Sequence, residues 1–187
     1  MSVRTINFIP KEMFLTKGKG IHKEHLESFE LALREAGIHF CNIVSVSSII
    51  PPDCKIISRE EGLEKLEPGQ IIFTVLSRNS TNEYGRIITA SIGLAQLVEL
   101  NAYGYVSEHH AFGQSKKESG DYAEDLAVSM LASTRGLAIP KEELEYDPQR
   151  EMYKLPKAYV TTESLTQDAK GVKEKWVTVL ASAVFIL

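Results

Sequence analysis

The chain has 187 residues, with 21 Lys and Arg against 25 Asp and Glu and a net charge of -4, and a pI near 5.8. That length suits one domain with a sizeable core and is short for two, so residues 1–187 are read as a single domain. No block of basic residues forms the stripe that a phosphate backbone needs, and the longest apolar run, WVTVLASAVFIL, falls short of the roughly 20 residues of a spanning helix. The start MSVRTINFIPKEMF lacks the charged head and long apolar stretch of an export signal. A cytoplasmic protein is expected, with neither nucleic acid nor membrane as partner.

The segment HKEHLESFELALREAG, from His22 to Gly37, places Leu26, Phe29, Leu33 and Ala36 at helical spacing, with Gly37 as the stop. FCNIVSVSSII reads as a strand ending at the serines, because Pro51-Pro52 cannot continue a ladder and hold Ile50 extended. SREEGLEKLEPGQ is a connection with one helical turn. IIFTVLS is a strand, NSTNEYG (Asn79 to Gly85) a hairpin turn, and RIITASIGLA the returning strand. LAQLVEL fits either a continued strand or a short helix. AYGYVSEHHAFG is a strand paired with its predecessor through Asn101 and its neighbours. SKKESGDYAEDLAVSMLASTRGLAI predicts a second long helix with Tyr122, Leu126, Met130 and Ala132 on one face. Beyond Pro140 and the connection PKEELEYDPQREMYKLPK, AYVTTESL and KWVTVLASAVFIL supply the last strands. About six strands and two main helices joined by short turns predict an α+β sandwich.

Neither G-x-G-x-x-G nor G-x-x-x-x-G-K-S/T follows a strand, so no nucleotide cofactor is announced. Cys41 and Cys54 are too few for a disulfide framework, form no C-x-x-C, and are read as buried thiols; no metal is expected. Asn79-Ser80-Thr81 matches a glycosylation sequon but, without an export signal, is read as a polar turn.

Two adjacent serines before two prolines admit two readings. They can begin a turn, their hydroxyls satisfying loose backbone groups. Alternatively the Ser47–Ser48 peptide bond is strained, and the Ser48 hydroxyl attacks the Ser47 carbonyl. The resulting ester can hydrolyse, leaving Ser48 as an amino-terminal nucleophile, or eliminate to dehydroalanine, which loses ammonia and becomes a pyruvoyl group.

FELALREAGIHFCNIVSVSSIIPPD carries A-L-x-x-A-G-I, an asparagine five residues before the serine pair, and S-S-I-x-P-P. In this it resembles the pyruvoyl-dependent arginine decarboxylases. TNEYGRIITASIGLA is similar to the family's G-x-x-I-x-A-x-I segment, and GYVSEHHAFGQSKKE to its glutamate-bearing strand, so the resemblance runs from Phe29 to Lys117.

The resemblance implies cleavage between Ser47 and Ser48 into a β chain (1–47) and an α chain (48–187) that begins with a covalent pyruvoyl cofactor made from Ser48. It implies an α-β-β-α sandwich assembled as homo-trimers or hexamers, with sites between subunits. The implied reaction converts L-arginine to agmatine and CO2 through a Schiff base with the pyruvoyl ketone, in polyamine synthesis or acid resistance. Glu108 is then the proton donor, and Asn42 the donor to the oxyanion of self-cleavage. Ser47, Leu33 and Ile49 line the pocket. Glu30 stands where the family typically has an aspartate that meets the substrate guanidinium, which leaves a shorter diamino acid open as substrate. A self-cleaving amide hydrolase and an uncleaved binding domain are the alternatives. His109 and His110 flank Glu108, and at most one of the two shares its face of the strand.

Overall fold

The computed structural model describes residues 8–98, 102–137, 144–156 and 158–187. Among these, eleven strands form two sheets with three helices. The elements run β1 (Glu12–His22), α1 (His25–Ala36), β2 (Asn42–Ser45), β3 (Ile49–Ile50), β4 (Lys55–Ile56), α2 (Arg59–Glu64) and β5 (Ile71–Thr81). Then follow β6 (Ile87–Leu97), β7 (Gly104–Phe112), α3 (Lys116–Thr134), β8 (Glu145–Asp147), β9 (Met152–Leu155), β10 (Ala158–Lys170) and β11 (Trp176–Ile186). The five-stranded sheet has the order β2-β5-β11-β1-β4, and the six-stranded sheet β3-β7-β6-β10-β9-β8.

Alternation of side chains along each strand decides the stacking. Met13, Val75, Ala183 and Phe185 of the first sheet meet Ile50, Ile92, Leu94 and Val106 of the second in one core. The outer face of the first sheet, with Phe14, Ile72, Leu180 and Val184, is covered by Ala32 and Ala36 of α1. On the far side, Ala127, Val128 and Leu131 of α3 cover Ala95 and Val160. The expected sandwich is therefore present as a single mixed domain, with a helix on each outer face.

Several local expectations give way to this stacking. β5 and β6 do not pair with each other: the turn after Thr81 carries the chain from one sheet to the other, as does the loop between β10 and β11. β5 also runs three residues into the expected turn, so Asn79 is a buried strand residue. LAQLVEL continues β6 as far as Leu97. β7 pairs with β6 as anticipated, whereas Asn101 and Pro140 lie outside the described residues. The strand read across FCNIVSVSSII is two strands, β2 and β3, in different sheets.

The helices sit close because their contact residues are small. Gly37, at φ 81°, ends α1 as anticipated, and Ile38 N–H closes the turn on Leu33 O at 3.1 Å. A Cβ at Gly18 or Gly20 of β1 would overlap the α1 carbonyls of Ala32 or Ser28, and one at Gly93 of β6 would overlap Ala123 of α3. The buried face of α3 is Ser119, Gly120, Ala123, Ala127, Val128, Leu131 and Ala132, small along its first half, while Tyr122 is exposed and Leu126 and Met130 lie at the flanks. This corrects the face expected from the large apolar residues: only Ala132 of that set is buried. No described helix is long and apolar enough to cross a membrane.

Filling either close approach should be expensive. Gly20→Ala and Gly93→Ala are each expected to destabilise the protein by about 1–3 kcal/mol through overpacking, read as a lower urea midpoint; an unchanged midpoint would contradict the close packing.

Candidate active site

The chain reaches Ser47 along an edge strand. β2 pairs in parallel with β5, Asn42 opposite Ile71 and Ser45 opposite Thr74, and Val46 N–H extends the contact to Thr74 O at 3.0 Å. The next two residues, Ser47 and Ser48, leave that sheet. β3 then docks on β7 of the other sheet, Ile49 opposite Tyr105 and Ile50 opposite Gly104, and Val106 N–H donates to Ser48 O at 2.7 Å. Pro51-Pro52 ends this excursion. Asp53 turns at φ 61°, and Lys55 N–H returns the chain to the first sheet through Lys11 O at 2.9 Å. The Ser47–Ser48 peptide is thus the link between two sheet edges, and β2 and β3 each have one open side.

Beside it lies a cavity of about 260 Å³, lined by Val46, Ser47, Ile49, Pro51, Phe73 and Phe185 among others. The lining is mostly apolar, which suits an aliphatic chain. Ile49 in its wall remains exposed, as do Val44 and Ile71 toward the start of β2 and β5.

Glu108 lies two residues beyond Val106 on β7, about 7 Å along the strand. Alternation puts it with Val106 and His110 on the face toward the other sheet. Glu108 keeps solvent contact, yet partial burial raises its pKa, with the charge of His110 opposing. His109 points the other way: its ring is 4.3 Å from that of Tyr122, and Nε2 is 2.8 Å from Gln114 Oε1. Of the two histidines, His110 shares the environment of Glu108.

Side chains of β5 reach across the sandwich to carbonyls of β7 that lie on the side it shares with β6. Ser77 Oγ donates to His109 O at 2.6 Å, and Asn79 Nδ2 to Ala111 O at 2.9 Å. Glu108 is therefore fixed by a rung at Val106 and a staple at His109. Neither Val106 nor Ser77 carries a signal in the sequence, since a backbone N–H and a serine among strand residues announce nothing. Asn79 stands out in the sequence as a glycosylation match and the start of an expected turn, not as a strand residue holding β7.

The remaining site residues stand apart within one chain. Asn42 is exposed and donates to Gly69 O at 2.9 Å; the extended run to Val46 puts it about 13 Å short of the serine pair. Glu30 and Leu33 lie on α1, on the outer face of the five-stranded sheet, whereas Glu108 faces its inner side. Leu33 and Ile43 both pack against the core under α1, and Glu30 Oε1 accepts from Arg34 Nε at 2.6 Å. Cys41 and Cys54 are free thiols. Burial raises both pKa values, that of Cys54 to about 11, so neither is a thiolate at neutral pH. Among the described residues no group of three or more His, Cys, Asp or Glu could hold a metal.

A family model described as pyruvoyl-dependent arginine decarboxylase matches residues 12–187. The chain belongs to this family. Its members are lyases named for a pyruvoyl group. A probable pyruvoyl-dependent arginine decarboxylase of Chlorobium luteolum is 49% identical over 181 residues, 97% of this chain and 99% of the relative. The pyruvoyl-dependent arginine decarboxylase of Nitrosopumilus maritimus is 47% identical over 97% of this chain and 100% of its own length. For pyruvoyl-dependent arginine decarboxylase 2 of Methanosarcina mazei the figures are 49%, 95% and 97%.

The raised pKa of Glu108 has a sign that can be checked. Its δ-carboxyl, followed by carbon NMR, should titrate above an ordinary glutamate. His110→Asn removes the opposing positive charge and should move that titration further up. Titration at or below the ordinary value would remove the burial argument.

Proposed function

We propose that the chain cuts itself between Ser47 and Ser48, converts Ser48 into a pyruvoyl group, and decarboxylates L-arginine to agmatine and CO2. The observation that carries this reading is the position of the Ser47–Ser48 peptide: it is the only stretch joining β2 to β3, and it borders an apolar cavity. A cut there leaves one end on each sheet and breaks no strand. The group fits what surrounds Ser48: the carbonyl oxygen is held by Val106 N–H, and Glu108 lies further along the same strand. When formed, it supplies a ketone that condenses with the substrate's α-amine and accepts the electron pair left by departing CO2.

The chain's own residues then have separate tasks. Glu108, its pKa raised by burial, holds a proton for return to the substrate Cα. Leu33 and Ile49 flank the aliphatic portion, with Ser47 at the cavity wall. Glu30 takes the guanidinium in a bidentate, charge-assisted pair. Its present partner, Arg34, is an exposed i,i+4 residue, a pairing worth about 0.3–0.5 kcal/mol, so a substrate guanidinium can displace it.

Glu30, Leu33 and Asn42 lie on the far side or far end of the five-stranded sheet from Glu108. We infer that neighbouring copies, in a trimer or hexamer, bring them together, with Asn42 of one copy donating to the oxyanion at Ser47 of the next. The exposed Val44 on the edge strand β2, with the exposed Ile71 on the neighbouring β5, supports an interface at this end of the sheet.

A denaturing intact-mass spectrum tests the reading. Two chains divided after Ser47 are expected, the longer one lighter by one ammonia than hydrolysis alone gives, and Ser48→Ala should stay whole. An uncut wild-type chain would sink the proposal, and a cut without ammonia loss would indicate an amino-terminal nucleophile hydrolase. Without denaturant the two chains should co-elute, because β1 pairs along its full length with β11. Glu30→Gln should raise KM for arginine about tenfold or more, as loss of a charged hydrogen bond does, with little change in kcat. An unchanged KM would place guanidinium recognition elsewhere.

A further inference from the structure

The ladder between β3 and β7 ends in the bond from Val106 N–H to Ser48 O, at 2.7 Å. Val106 is fully buried, packed with Ile50, Ile92 and Leu94. Water does not compete for its amide, and a hydrogen bond in such surroundings is electrostatically stronger than one in solvent. The oxygen it meets is bonded to the carbonyl carbon next to Ser48 Cα, the carbon at which maturation must break a C–H bond.

The geometry points to the Val106 backbone N–H as a catalytic donor that stabilises negative charge on the Ser48 carbonyl oxygen while the Cα–H bond breaks, an inference that rests on the self-cleavage reading above. In the first step Ser48 Oγ adds to the Ser47 carbonyl carbon and the C–N bond breaks. Ser47 becomes an ester on Oγ, and Ser48 gains a free amine. In the second step a proton passes from Ser48 Cα to water, the electron pair forms the Cα=Cβ bond, and the Cβ–Oγ bond breaks with Ser47 leaving as a carboxylate. The enamine then takes up water and loses ammonia, leaving the ketone.

A serine Cα–H is a weak acid, and its acidity depends on delocalising the pair into the neighbouring carbonyl. A donor already seated at that oxygen needs no reorganisation when charge arrives. The same oxygen survives the cut, since it belongs to Ser48 and not to the bond that is lost. The N–H is therefore also placed to receive the charge that substrate decarboxylation delivers to this carbonyl. One backbone group would serve both maturation and turnover. Its role separates the two steps of maturation: ester formation involves the Ser47 carbonyl and does not need it, whereas elimination does.

The test replaces Val106, in the full-length chain, by its α-hydroxy acid analogue, which removes the N–H and keeps the side chain. The same exchange at Gly104, opposite Ile50 on the same ladder, controls for losing a ladder bond. The Val106 variant is expected to mature about ten- to hundredfold more slowly, the range seen when an oxyanion donor is removed. It should accumulate an uncut chain that hydroxylamine splits after Ser47, while the Gly104 variant matures like wild type. A Val106 variant that matures at the wild-type rate, or that stalls as a hydroxylamine-resistant chain, overturns the inference. Amide exchange in matured wild-type protein is an independent check: a protected Val106 N–H supports the assignment, and exchange at the unprotected rate overturns it. Wild-type protein that is never cut would overturn the self-cleavage reading as well, so the two failures are distinguishable.

Discussion

The site depends on the docking of a two-residue strand. Ile49 and Ile50 leave the five-stranded sheet, attach to the edge of β7 and hand the chain back within five residues. Little could hold so short a strand except its anchors. The side chain of Ile50 is fully buried between the sheets, a burial worth about 1.5–3 kcal/mol, and Val106 holds the Ser48 carbonyl. Pro51 and Pro52 prevent the strand from growing. The Ser47–Ser48 peptide must therefore span the two sheet edges, because β2 is held on one side and Ile50 on the other.

The stiffness of that frame comes from small residues. Gly18 and Gly20 let α1 lie on β1, and Gly93 lets α3 lie on β6. Beneath α3, Ser91 Oγ meets Ser119 Oγ at 2.7 Å and Thr166 Oγ1 at 2.8 Å, so the polar groups buried by the close approach find one another. β7 is held between this packed helix and the side chains of Ser77 and Asn79. Glu108, two residues along β7 from the amide that holds the Ser48 carbonyl, thus rides on a strand paired with β6 and packed on both faces, which is what the proton donor proposed for this site requires.

The legible parts of the sequence were those with local causes. α1 follows from apolar spacing and Gly37, and the end of β3 from two prolines. The serine pair was legible as chemistry, through its motif, and not as geometry. β1 was not read as a strand because its lysines and glycines break the apolar pattern. Its glycines answer to α1, and Lys17 reaches across the sandwich to Thr166 O at 3.2 Å. The face of α3 departs from the expected one for a related reason: where the helix crosses Gly93 only small residues such as Ala123 fit, while Val128 and Leu131 are buried further along it. The supposed hairpin between β5 and β6 was misread because a turn is written in local residues, whereas the sheet a strand joins is decided by its partners far along the chain. Glu108 is named as a site residue by resemblance alone, and the side chains that hold its strand carry no signal in the sequence.

Under the proposed function, the placement of the site residues would separate making the reaction from choosing the substrate. Ser48, Val106 and Glu108 belong to the edge of the six-stranded sheet, locked by ladder bonds and by the core. Glu30 sits on the exposed side of a helix, and a change in its length alters no contact of that core. On that proposal, a methylene more or less at this position would move a carboxylate relative to a ketone built elsewhere and leave Glu108 and the Val106 contact untouched. A glutamate in place of the usual aspartate is then a change in reach, which the substrate's own length or the seating of a neighbouring copy must match. Recognition across the proposed interface between copies would make that adjustment available without repacking either sheet.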